Sequence, residues 1–386
     1  MTLQINSHFD SGNIEVINVE AADNIRLRIR KDSNSEFFQW FHFRLAAPAG
    51  TDVRIIIENA GECSYAEGWY DYQCAASHDR HAWFRITTTH YDGEQLTIEF
   101  TMQQDCIWMA YFQPYSLERH FDLLARCAQK TDVKLAQLGN SVEGRSIDVL
   151  RLGVSGQQHV SCSNVWIIAR QHPGESMAEW CAEGLLEALL DEDSAEFGHI
   201  AREIRQRACI HVVPNVNPDG STLGNLRSNA AGANLNREWR TPTIERSPEV
   251  LCVRQGMLDT GVDLFIDLHG DETLPYVFID GSHMVPGYGE RNLALQQAFL
   301  DELRAASPDF QTVKGYADNR FDDELLTLAS KWVAHQFNCV ALTLEMPFKD
   351  NANAPDARSG WSGARSKRMG AALLHPILGH LRRIMS

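Results

Sequence analysis

The rhythm of hydrophobic and polar positions changes once along this chain, close to position 114. Before that point, short runs alternate apolar with polar residues at 14–19, 25–29, 37–45, 53–58, 82–88, 95–100 and 106–112. Turn-forming groups such as Pro48-Ala49-Gly50, Ala60-Gly61 and Asp92-Gly93 separate them. Period-2 alternation turns one side of each run towards a core. Closely spaced strands with no helix between them predict an antiparallel β-sandwich for residues 1–114.

Beyond Pro114 two patterns take turns. Continuous apolar runs at 149–152, 165–169, 210–216, 264–268, 276–279 and 339–344 predict strands buried on both faces. Helical periodicity starts at Leu117 and returns at 175–190, 200–207, 248–260, 290–306, 322–337 and 364–384. This alternation predicts an α/β domain over residues 115–386, its sheet covered by helices on both faces. In such sheets, functional groups collect at the carboxyl ends of strands.

Composition supports a core of this size: 44% of the 386 residues are hydrophobic and 22% charged. The formal net charge of −16 repels nucleic acid and anionic membrane, so neither is expected as a partner. Met1 to Asp10 carries no basic segment followed by an apolar one, so no secretory signal is expected, and no apolar run is long enough to span a bilayer. Nine scattered cysteines without a CxxC spacing predict reduced thiols in a cytoplasmic protein.

The strand ends carry the candidate chemistry. The run 165–169 leads into His172-Pro173-Gly174-Glu175, where Pro and Gly break the strand. An imidazole and a carboxylate three residues apart at such an end can converge on one point. Zinc takes that kind of nitrogen and oxygen set, with a position left open for water. The strand 264–268 ends in His269-Gly270. Alone, His269 reads equally well as a core histidine satisfied by a backbone carbonyl. With His172 and Glu175 it completes a His₂Glu set for one zinc ion per chain.

Glu345 stands in the apolar exit of the strand 339–344. A carboxylate there is costly unless paired, and its functional reading is a general base for an attacking water. The competing reading is a salt bridge to an arginine. Asn217-Pro218-Asp219-Gly220 forms a tight turn, followed by Arg227 and by Asn236-Arg237. Guanidinium groups polarise a scissile carbonyl or grip a carboxylate through two hydrogen bonds.

Together these residues resemble the zinc metallocarboxypeptidases, in the order His172-x-x-Glu175, Asn217-Pro218-Asp219-Gly220, Asn236-Arg237, His269 and Glu345. The resemblance is closest to the cytosolic carboxypeptidase branch with its bacterial members. Tyr111-Phe112-x-Pro114-Tyr115-Ser116-x-Glu118-Arg119-His120 and Leu138-Gly139-x-Ser141-x-x-Gly144-Arg145 support it, and it covers nearly the whole chain. It implies a carboxypeptidase-like mixed sheet behind the β domain and a hydrolase acting on peptide or protein C-termini. It further implies that His172, Glu175 and His269 bind zinc and that Glu345 activates water. Arg227 would then steady the oxyanion, and Asn236 and Arg237 would hold the terminal carboxylate. Two positions depart from the pattern. Asn234 replaces the usual Asp beside the first histidine, and Tyr316 is the candidate for an active-site Tyr that has no clear motif.

That branch includes members that remove acidic C-terminal residues, using a basic side chain in the specificity pocket. Arg320, Lys331, Lys349, Arg358, Arg365, Lys367 and Arg368 supply local positive charge around Glu345. Acidic preference follows as an expectation. Two other readings compete with the carboxypeptidase. One is a zinc deacylase of N-acyl amino acids. The other is a catalytically silent protein that binds a partner through its β domain.

Overall fold

The computed structural model describes residues 3–153, 162–317 and 322–385. Up to Pro114 the chain forms β1 (Gln4–Asn6), β2 (Glu15–Asn18), β3 (Ile25–Arg28), β4 (His42–Ala46), β5 (Asp52–Ile57), β6 (Cys74–Ser77), β7 (Trp83–Ile86), β8 (Thr89–Tyr91), β9 (Leu96–Thr101) and β10 (Cys106–Ala110). They form two five-stranded sheets, ordered β1-β4-β10-β6-β7 and β2-β3-β5-β9-β8. Pairing is antiparallel throughout except between β3 and β5, which run parallel. Ile25, Leu27, Ile55 and Ile98 of one sheet and Phe43, Leu45, Ile107 and Met109 of the other are buried in one cluster, the filling of a sandwich.

The remainder comprises α1 (Leu117–Ala128), β11 (Val133–Asn140), β12 (Ser146–Gly153), β13 (Ser163–Ala169), α2 (Ser176–Leu190), α3 (Gly198–Arg207), β14 (Ala208–Val213), α4 (Pro218–Leu223), α5 (Pro248–Thr260), β15 (Leu264–Asp271), β16 (Phe278–Asp280), α6 (Gly289–Ala306), α7 (Ala329–Phe337), β17 (Val340–Pro347), α8 (Gly363–Ala372) and α9 (Leu374–Ile384). Its seven-stranded sheet has the order β11-β12-β14-β13-β15-β17-β16. The central strands β14, β13, β15 and β17 run parallel, and the flanking pairs are antiparallel. Alternation along β13 sorts the two faces. Val165, Ile167 and Ala169 pack with α2 and α9, whereas Trp166 and Ile168 pack with Val250, Val253 and Met257 of α5 and Val333 of α7.

Some elements escape the periodic reading. β1 and β8 have three residues each, too few to show a period, and β6 (Cys-Ala-Ala-Ser) is buried at every position. β11 is an edge strand in which only Val133 is buried. The helix expected over 364–384 is two helices, because Pro376 in the first turn of α9 cannot continue α8. The stretch expected as a helix over 322–337 begins with a 3₁₀ turn, Asp323–Thr327, before α7.

The apolar cluster of the sandwich runs on into the face of the second sheet that carries α2. Tyr111 stacks on Phe348 with ring centroids 4.4 Å apart. Buried Arg85 of β7 donates to the carbonyls of Phe348 (2.6 Å) and Trp361 (3.0 Å). The segment after Pro114 anchors α2: Arg119 grips Glu183 through two bonds of 2.9 and 2.8 Å, and His120 Nδ1 lies 2.7 Å from Glu179. Two sequence motifs meet at Asp219, which accepts from Ser141 Oγ (2.7 Å) and Arg145 (2.7 Å). This contact ties the turn at Asp219 to the β11–β12 connection. All nine cysteines are free thiols. Among the described residues no helix is long and apolar enough to cross a membrane.

Candidate active site

The strand β13 delivers the chain to Arg170, whose φ of 60° lies in the left-handed region that a non-glycine residue enters only under constraint. Its buried guanidinium supplies that constraint, donating to the carbonyls of Pro173 (3.0 Å) and Tyr115 (2.8 Å) and to Glu179 (2.7 Å). The turn that follows points His172 inwards and sets Glu175 at the start of α2. Gly174 lies where a Cβ would come within 2.9 Å of the Leu226 carbonyl, and its own N–H donates to that oxygen at 2.8 Å. Glycine is needed for this approach.

His172, Glu175 and His269 converge, one ligand atom from each lying within 4.8 Å of the others. His172 Nδ1 is 2.6 Å from Glu175 Oε1, and His269 Nδ1 is 2.7 Å from Glu175 Oε2. The opposite ring nitrogens face oxygen acceptors: His172 Nε2 meets Asn234 Oδ1 at 2.9 Å, and His269 Nε2 meets Asp267 Oδ2 at 2.9 Å. In the Nε2–H tautomer that these acceptors favour, both Nδ1 lone pairs face the Glu175 carboxylate. Three electron-pair donors facing one point in a buried site suit a divalent cation. Asp267 is held in turn by Gln171 Nε2 at 2.6 Å, and Gln171 accepts from Trp239 Nε1 at 2.8 Å.

Burial pulls His172 down to about 3, and the Arg227 charge works the same way. Burial also opposes charge on His269, but the Asp267 and Glu175 carboxylates raise it well above the ordinary value. Glu175 is buried too, yet the two imidazoles hold it below the usual carboxylate range.

Glu345 lies on β17 directly across from His269 on β15. Burial pushes its carboxyl well up, and its Oε2 has no hydrogen-bond partner among the described residues. The salt bridge to an arginine that competed for this residue is absent among the described residues. Arg227, Asn236, Arg237 and Tyr316 line the same cavity of about 370 Å³ as the three clustered residues and Glu345. All eight residues singled out from the sequence therefore share one cavity.

Residues 5–112 match the family model described as the cytosolic carboxypeptidase N-terminal domain, and residues 122–359 match the zinc carboxypeptidase model. The chain belongs to the zinc carboxypeptidase family. A metallo-carboxypeptidase from Burkholderia cenocepacia is 50% identical, with a TM-score of 0.96 over 99% of this chain and 100% of that one. A Pseudomonas aeruginosa metallo-carboxypeptidase, in complex with (2-guanidinoethylmercapto)succinic acid, is 44% identical, with a TM-score of 0.92 over 98% of this chain and 100% of that one. Cytosolic carboxypeptidase 6 of Caenorhabditis elegans is 26% identical, covering 90% of this chain and 79% of its own. Like these relatives, this carboxypeptidase is a peptide hydrolase.

Sequence reasoning missed several residues of the carboxypeptidase site. Asp267 had a signal, since positions two apart on a strand share a face and Asp267 precedes His269 by two. Tyr65, from the β-sandwich, lines the cavity with no such signal, and Glu272 and Asp280 line it as well. Tyr316 is half exposed, and its hydroxyl donates to Asp271 at 2.6 Å. Of the basic residues named around Glu345, Lys331 reaches the cavity, buried and 2.9 Å from Asp280. Arg365 is spent on Asp309 and Asp350, Lys367 on Glu183 and Glu187, and Lys349 donates to the Tyr70 carbonyl. Arg320 lies outside the described residues.

Proposed function

We propose that this carboxypeptidase binds one zinc ion through His172, Glu175 and His269 and releases the C-terminal residue of peptides or proteins in the cytoplasm. The convergence of those three side chains within 4.8 Å is the observation that carries the reading. When bound, zinc polarises a carbonyl and acidifies water. Glu345 takes the proton of the attacking water through its unpartnered oxygen and passes it to the departing amine. Arg227 steadies the negative charge that develops on the carbonyl oxygen. Asn236 Oδ1 accepts from the Ala329 N–H at 2.8 Å, which turns its amide N–H₂ towards the cavity. That group and Arg237 grip the terminal carboxylate, and Tyr316 contacts the substrate. Residues 1–114 and 115–386 form the two domains.

Lys331 is the basic group that favours an acidic C-terminal side chain. Two observations favour the opposite preference: Asp280 pairs with Lys331, and the Pseudomonas aeruginosa relative was solved with a ligand bearing a guanidino arm.

Elemental analysis of wild type and His172→Ala, with release measured from peptides ending in Glu, Lys and Leu, tests the whole reading. The expected outcome is about one zinc per chain, lost together with release in the variant, with Glu preferred. Faster release of Lys would transfer the specificity to Asp280. Zinc without release from any peptide would favour the deacylase, and absence of zinc would overturn the proposal.

A further inference from the structure

The Arg227 guanidinium is held by the neighbouring domain. Its ζ-carbon lies 5.3 Å from the ring centroid of Tyr65 and 5.6 Å from that of Phe37, both in the β-sandwich region. Its buried Nε has no hydrogen-bond partner, and no carboxylate forms an ion pair with it among the described residues. Tyr65 also lines the cavity beside His172 and Glu175. The backbone of Tyr65 is fixed on both sides by buried Gln39, whose Nε2 donates to the Tyr65 carbonyl (3.1 Å) and whose Oε1 accepts its N–H (2.9 Å). Gln39 donates to Tyr111 as well (3.0 Å), and Tyr111 stacks on Phe348 just beyond β17. The backbone that carries the ring is thus linked, through Gln39 and Tyr111, to the segment that follows the strand of Glu345.

We infer that Tyr65 is a positioning residue of the active site, contributed by the N-terminal domain, whose ring holds the Arg227 guanidinium while leaving its N–H donors for the substrate. This rests on the carboxypeptidase reading for the role of Arg227. A carboxylate partner would fix the guanidinium equally well, but would consume the donors and neutralise the charge needed by the developing oxyanion. Aromatic faces hold a cation without taking its hydrogen bonds. The function lies in the ring and not in the hydroxyl, which separates Leu from Phe at this position.

The test uses the full chain with Tyr65→Leu and Tyr65→Phe, two measurements, and zinc content as a control for folding. In steady-state kinetics Tyr65→Leu should lower kcat about tenfold with KM changed less than about twofold, the size of a lost cation–π contact acting in the transition state. Tyr65→Phe should restore kcat to within about threefold of wild type. The second measurement is ¹⁵N relaxation of the Arg227 Nε–H group, assigned by comparison with Arg227→Lys. It should report a rigid side chain in wild type and Tyr65→Phe and a mobile one in Tyr65→Leu. Wild-type kcat in Tyr65→Leu, or an equally rigid Arg227 there, would overturn the inference while leaving the carboxypeptidase reading intact. Equal losses in Leu and Phe would also overturn it and assign the effect to the hydroxyl. If wild type released no residue from any peptide, the carboxypeptidase reading would fall, and relaxation alone would decide whether Tyr65 holds Arg227.

Discussion

His269 and Glu345 occupy matching positions on the neighbouring parallel strands β15 and β17. Paired residues on adjacent strands project to the same side of a sheet, so an imidazole and an unpartnered carboxylate stand side by side at the carboxyl ends of two buried strands. Two residues earlier, Asp267 and Thr343 form the next pair on that side. The register of one strand pair thereby sets the His269 imidazole, the Asp267 carboxylate that faces it and the Glu345 carboxyl on one side of the sheet.

Replacing Glu345 with Gln keeps the shape and removes the acceptor. The expected result is a kcat lower by about 10²–10⁴-fold, the usual contribution of a general base. Zinc content measured on the same preparation should match wild type, because Glu345 lies outside the His172, Glu175 and His269 cluster.

Asn234 supports His172 with a neutral amide oxygen and also accepts the Asn236 N–H at 3.1 Å. Asn234→Asp preserves both bonds and adds negative charge, which makes the imidazole a stronger donor. Zinc loss to a chelator should slow by roughly tenfold, whereas Asn234→Ala should speed it by about 10–100-fold. Dissociation rates of the three proteins decide this.

Asp32 of the N-terminal domain accepts three successive backbone N–H groups of the Arg227 loop: Leu226 (2.6 Å), Arg227 (2.8 Å) and Ser228 (2.9 Å). Asp32→Ala leaves three amides without an acceptor and should cost about 3 kcal/mol in denaturant unfolding. Asp32→Asn, which keeps one oxygen, should cost less. Amide hydrogen exchange should rise at 226–228 in both variants.

His120 links α1 to α2. Burial opposes its charge, but hydrogen bonds to Asp148 and Glu179 outweigh that and raise it to about 9. A base raised in the fold binds its proton more tightly than in the unfolded chain. Its contribution is therefore complete below about pH 6.5 and is lost as pH rises through about 9. The shift corresponds to about 3 kcal/mol. Thermal midpoints should fall between pH 7 and 9.5, and His120→Gln should flatten that part of the profile. An unchanged slope in the variant would remove His120 from the account.

The sequence by itself determined the order of the central elements and most of the cluster. Strand ends and helix starts are encoded locally: Val165 to Ala169 followed by Pro173 and Gly174 reads as a buried strand running into a turn, and His172 and Glu175 ride on that turn. The α5 bounds, 248–260, were equally legible, because Pro248 opens that helix and Gly261 follows its last residue. The tertiary structure alone decided which distant groups complete the site. Asp32 and Tyr65 lie more than 100 residues before the elements they support, and no periodicity links such positions. Only the docking of the sandwich on the second sheet brings them to Arg227. The same holds for the basic residues around Glu345. Lys331 reaches the cavity while Arg365 and Lys367 are spent on carboxylates elsewhere, because helix packing, which no local pattern specifies, sets where each long side chain ends.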